Sequence, residues 1–195
     1  MIIHFDNVPF YSQFQDIPQV EWKMEGCGIA SLAMEAGFYT QKKISVPELL
    51  NRAIDSGAYA PGVGWKHAQL AALAELYGLT GQNYDLSDLG SAAALSQLES
   101  FLLNGPVIAS IHNKFNPKAT LGHLIVVTGL DNDAVFYHDP AYGQKTERSI
   151  SLAKFMQGWK QKIIVVRAKV TKEAVMADPF RTLALLGPVS LEQAN

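Results

Sequence analysis

Through the first part of the chain apolar positions recur at helical spacing, and after Pro106 they recur at strand spacing. Cys27 opens a run with Ile29, Ala33 and Ala36 on one stripe, which ends near Gly37. Ser45 stands at an N-cap position with Pro47 in the first turn, predicting a helix through about Ile54. A glycine-rich loop, Gly57 to Gly64, follows. Leu70, Leu73, Ala74 and Tyr77 then define a third helix from Trp65, stopped by Gly78. A fourth covers Ser91 to Leu103 and ends at Asn104-Gly105-Pro106. Residues 1–22, with Pro9 and Pro18 among polar and aromatic side chains, read as an extended arm.

The second part predicts strands over Val107–Ile111, His123–Thr128, Ala134–His138 and Lys162–Val170. A short helix around Leu152–Trp159 precedes the last strand. Gly129 to Asp133 joins the middle two as a hairpin. Helices first and strands afterwards imply an α+β domain with an antiparallel sheet. The expected organisation is one domain over 1–170, helical over about 23–104 and sheet over about 106–170. An extension, 171–195, carrying Pro179 and Pro188, follows it.

Composition narrows the classes. With 195 residues, 48% hydrophobic and 17% charged, the chain suits one globular domain rather than a disordered one. Sixteen basic against eighteen acidic residues leave no field for a mainly electrostatic nucleic-acid binder. No apolar run approaches a membrane span, and the opening residues lack the basic and apolar regions of a signal peptide. A cytoplasmic protein with no membrane partner is the expectation, and the oligomeric state is open. The single cysteine, Cys27, excludes an internal disulfide and a multi-cysteine metal site. His138 and Asp139 are strand neighbours that point to opposite faces, which chelates a metal poorly. The glycine-rich loop lacks the Lys-Ser/Thr ending of a phosphate loop. Neither metal nor cofactor is expected.

Cys27 lies between Gly26 and Gly28 at the start of a helical pattern. There the positive end of the helix dipole and the unpaired N–H groups favour thiolate, the reactive form. The flanking glycines suggest room for a substrate backbone. Five histidines, His4, His67, His112, His123 and His138, are candidate bases. A hairpin centred near Asp131 places His123 directly opposite Asp139 on one face, where a carboxylate would orient and stabilise an imidazole. A one-residue slip would separate them, and both faces of the strand are apolar, so the pattern does not pin the register. Gln13 and Gln15 are both placed to donate to an oxyanion beside the nucleophile; spacing does not choose between them.

Val8-Pro9-Phe10-Tyr11-Ser12-Gln13, Trp22, and the run from Gly26-Cys27-Gly28 to Met34 resemble the papain-like cysteine peptidases related to the bacteriocin double-glycine leader peptidases. So do Gly105 to Ala109, Gly122-His123 through Gly129, and His138-Asp139-Pro140-Ala141-Tyr142-Gly143. The blocks span roughly residues 8–166 in the family's order. The resemblance implies a papain-like fold, with a helical subdomain packed on the sheet and the cleft between them. It also implies Cys27 as nucleophile, His123 as general base and acid, Asp139 as orienting carboxylate, and Gln13 rather than Gln15 as oxyanion donor. The implied activity is a thiol hydrolase cleaving a peptide or amide bond through a thioester. The related leader peptidases usually precede an ABC transporter. Nothing here spans a membrane or binds nucleotide, so their double-glycine preference is not carried over. Two other readings use the same residues: an acyltransferase of transglutaminase type, and a non-catalytic peptide-binding module.

Overall fold

The computed structural model describes residues 2–144 and 147–169; the expected extension, 171–195, lies outside them. Helix α1, Cys27–Thr40, is buried on every side from Gly28 to Gly37, as its nearly unbroken apolar composition demands. It runs a turn past the expected end and stops at Gln41, whose φ of 55° is left-handed. Gly37 serves packing instead of termination, since a Cβ there would stand 2.8 Å from Pro9 Cγ. α2, Val46–Asp55, begins after Ser45 with Pro47 in its first turn and buries Leu49, Leu50 and Ala53. The glycine-rich loop forms a small hairpin, β2 (Tyr59–Ala60) with β3 (Gly64–Trp65). α3, His67–Ala72, tightens into a 3-10 turn, Leu73–Tyr77, and Gly78 ends it with a φ of 71°.

Leu79–Asp85, which the hydrophobic pattern assigns to the helical part, is a strand, β4. Only Leu79 in it is buried, so no apolar alternation marks it. α4, Ser91–Leu102, follows. Then come β5 (Val107–His112), β6 (Gly122–Leu130), β7 (Ala134–His138) and β8 (Arg148–Ser151). α5 (Leu152–Gly158) leads into β9 (Trp159–Ala168). The arm contributes β1 (Ile3–His4), which pairs with Leu130 and Gly129 of β6. Among the described residues the main sheet has seven strands in the order β4-β9-β5-β6-β7-β8, with β1 against β6, and every pairing is antiparallel.

Alternation along the central strands divides the core in two. Ile108, Leu124, Val126, Ile164 and Val166 pack with α1, α2 and α3. Val107, Ala109, Ile125, Val127, Ile163 and Val165 pack with α4 and α5 on the opposite face. The sheet is therefore covered on both sides, which is why its inner strands read as continuous apolar runs. The fold is α+β as expected, but α4 parts company with α1, α2 and α3 and, with α5, covers the far face.

Candidate active site

Cys27 is the first residue of α1, where the helix presents its unpaired N–H groups. Gly26 and Gly28 are accounted for by packing instead of substrate room. A side chain at 26 would collide with Ile17 Cδ1, and one at 28 would stand 2.7 Å from Trp65 Cδ1. Trp65 is held in that position by its indole N–H, which donates to the Glu25 carbonyl at 2.5 Å.

β6 carries His123 to this helix terminus. Its Nε2 lies 2.6 Å from Asp139 Oδ1, with the two side chains 11% and 13% exposed. Cys27 lies near the same ring and is one of the groups that act on it. Burial pushes the imidazole pKa down, but hydrogen bonds and charge from Asp139 and Cys27 overcome this and raise it to about 10. These partners favour the imidazolium form.

The register that joins His123 to Asp139 differs from the expected one. Val126 pairs with His138, so the two meet diagonally rather than directly across. Nearer the turn Leu130 pairs with Val135, and the register shifts between Val127 and Gly129. Thr128 is the extra residue of this bulge. Its carbonyl accepts from Phe5 N–H at 2.9 Å, and its hydroxyl donates to Glu147 Oε1 at 2.8 Å. Glu147 Oε2 in turn lies 2.8 Å from His4 Nε2.

Asp139 is fixed from behind. The same Oδ1 accepts from Ala141 N–H at 2.9 Å, and the Pro140 carbonyl accepts from Gln13 N–H at 2.9 Å. Gln13 is buried and packs against Gly26. Its amide donates to the Lys23 carbonyl at 2.7 Å and, more weakly, towards Met24 at 3.4 Å. Gln15 is exposed and lies by Gly143. Beside Cys27 and His123 opens a cleft of about 290 Å³, walled by Tyr59 and Gly62 to Trp65 on one side and Thr120 to Leu124 on another. Glu25, His67, Ser110 and Lys160 complete it; Asp139 and Gln13 stand outside its walls.

Of the other histidines, His4 lies between Asp6 and Glu147, His112 contacts the Ala119 carbonyl, and His138 is buried edge-on to Phe10. His67 reaches the cleft, its pKa lowered by burial and then by Lys162 and Lys160. Two groups escaped the sequence reading. Lys160 is one. The other is Glu35, wholly buried in α1 without a hydrogen bond to either carboxyl oxygen. Burial raises its pKa to about 8, against the opposing pull of Arg167. A four-residue polar spacing, Cys27, Ser31, Glu35 and Tyr39, runs along an otherwise apolar helix and was the available signal. Ser31 donates to the Leu124 carbonyl at 3.3 Å, and Tyr39 bonds both the Asn104 carbonyl and Arg167.

A helical layer ending in a cysteine against a sheet bearing histidine and aspartate is the layout of the papain-like cysteine peptidases. The chain belongs to the Peptidase_C39 like family, whose model matches residues 5–162. Three solved structures share its fold. A protein described as a C39-like peptidase, from Bacillus anthracis, is 20% identical with a TM-score of 0.62, covering 88% of this chain and all of that one. The peptidase domain of Streptococcus ComA, a bifunctional ABC transporter of a quorum-sensing pathway, is 18% identical with a TM-score of 0.56. That match covers 78% of this chain and 97% of the domain. A double-glycine-motif protease of an AMS/PCAT transporter, solved with its leader peptide, is 20% identical with a TM-score of 0.50 over 73% and 84% of the two chains. No protein of curated function matches this one. Among the described residues no helix is long and apolar enough to cross a membrane.

Proposed function

We propose that the protein hydrolyses a peptide or amide bond through Cys27, His123 and Asp139. The observation that carries this reading is a buried imidazole held between a carboxylate and the chain's one thiol, with a cleft opening on the thiol side. Cys27 attacks the carbonyl as thiolate, its charge balanced by the His123 imidazolium. His123 then gives its proton to the leaving amine, forming the thioester, and accepts one from the water that releases the acid. Asp139 orients the ring through Nε2, leaving Nδ1 for the reaction. The Cys27 N–H and the Gln13 amide stabilise the oxyanion. The shorter Gln13 bond to Lys23 would anchor that amide while the longer one, to Met24, is exchanged for the oxyanion.

The test is alkylation of Cys27 by iodoacetamide at neutral pH, followed by mass spectrometry. Labelling is expected to be far faster than for a free cysteine and to slow in His123→Ala. Cleavage of a peptide mixture is expected to vanish in Cys27→Ala. Labelling at a free-thiol rate, indifferent to His123→Ala, would overturn the reading.

A further inference from the structure

β9 breaks its ladder where it passes the cleft. Ser110 pairs with Lys162, but its neighbour Ile111 pairs with Trp159, so Lys160 and Gln161 bulge from the strand. Gln161 has a φ of 55°, a left-handed conformation that a non-glycine residue adopts at a cost. The bulge turns Lys160 into the cleft wall. Its Nζ lies 3.0 Å from where a Cβ on Gly122 would stand, so the missing side chain beside His123 is what leaves room for the ammonium. Among the described residues no carboxylate lies within ion-pair distance of Lys160, whereas nearby Lys162 is paired with Asp85 at 2.8 Å. The charge of Lys160 is felt by His67 on another wall. Glu25, the carboxylate lining the same cleft, lies against the Tyr59 hydroxyl.

We propose that Lys160 is a specificity-determining cation of the cleft, recognising a carboxylate of the substrate near the scissile bond. This rests on the peptidase reading above. The bulge is held through Gln161, whose carbonyl accepts from Leu86 N–H at 2.7 Å, but the ammonium it delivers beside the general base, with a glycine clearing its path, has no partner of its own among the described residues; an incoming carboxylate supplies one. The carboxylate is either an acidic side chain or a free C-terminus. Both present the same group at the cleft.

The test compares Cys27 alkylation by iodoacetate, an anion, with iodoacetamide, its neutral analogue. Lys160→Met is expected to lower the ratio of the two rates about three- to tenfold, Lys160→Glu further, and Lys160→Arg to retain it. A ratio unchanged in Lys160→Met overturns the assignment of Lys160 alone. Slow labelling of the wild type by both reagents overturns the reading of Cys27, and this one with it. Peptides carrying Glu, Gln or Lys around the cleavage point, each with a free or amidated C-terminus, separate the two sources. A preference for Glu within amidated peptides names the side chain; a loss on amidation names the terminus. No preference for either form overturns the proposal, as does one that survives in Lys160→Glu.

Discussion

His123 and Asp139 share a face of the β6–β7 hairpin because Thr128 is left out of its ladder. The turn alone sets an odd register that would put them on opposite faces, and the one-residue bulge restores the parity. The Thr128 carbonyl and hydroxyl are both held, by Phe5 and Glu147. The alignment of imidazole and carboxylate is thus set five residues along the strand from His123.

Deleting Thr128 removes the bulge, whereas Thr128→Gly keeps it and loses only the hydroxyl bond. The deletion leaves Val127 opposite Tyr137 and Gly129 opposite Phe136, so His123 is expected to keep its place beside Asp139 and Cys27 its rapid iodoacetamide labelling. The glycine variant is expected to retain most of it while unfolding about 1–2 kcal/mol more easily. Loss of rapid labelling in the deletion variant alone would mean that the bend of the bulge, and not the pairing register, aligns the two side chains.

Asp139→Asn keeps the shape of the site and removes the charge beside His123. The alkaline limb of kcat/KM, expected near pH 10, should move down towards the ordinary imidazole value of 6.5. kcat is expected to fall by about 10² to 10⁴. Stability follows the same linkage. The folded-state pKa is raised, so the contribution is complete below pH 6.5 and is lost as pH rises through about 10. A limb that stays in place would remove Asp139 as the group acting on His123.

Gly28→Ala tests the packing explanation of the Gly-Cys-Gly run. Helix propensity alone would favour alanine by about 1 kcal/mol. The new methyl would stand 2.7 Å from a Trp65 ring anchored through its indole N–H, and overpacking of this kind costs about 1–3 kcal/mol. Net destabilisation is expected in a urea melt, with KM altered because Trp65 lines the cleft. A more stable variant would show that the Trp65 wall yields freely.

Glu35→Gln should stabilise the protein increasingly as pH rises. The folded-state pKa of Glu35 is raised from 4.5 to about 8, so its contribution is complete below pH 4.5 and lost as pH rises through about 8. Across that window the difference in unfolding free energy between variant and wild type should grow, on the order of a few kcal/mol. Denaturant titrations at several pH values measure it. A constant difference would mean that Glu35 is ionised throughout.

The hydrophobic pattern found most of the elements because their cores are local in sequence. α2 carries its Ser45 and Pro47 signals, and β5 and β6 are apolar on both faces. That same two-sided burial concealed the register, since a slipped β6 would be equally apolar. β4 was missed because it buries only Leu79, and β1 because two residues carry no period. At the site, Cys27 is legible from its place before a helix, and Gln13 only through resemblance. Lys160 was invisible because its direction depends on a bulge in β9, which charge and spacing do not encode. Glu35 was written into the four-residue polar spacing of α1, where the helix looked merely apolar.

The sheet order also governs when the protein becomes competent during its own synthesis. β9, the last strand described, lies between β4 and β5, both made earlier. A nascent chain that has exposed Cys27, and even His123, still lacks the strand that ties β4 to the rest of the sheet. Such contacts between distant segments form late and cooperatively. The join between β4 and β5, and the wall of the cleft that Lys160 supplies, are therefore made last, once translation has passed Ala168.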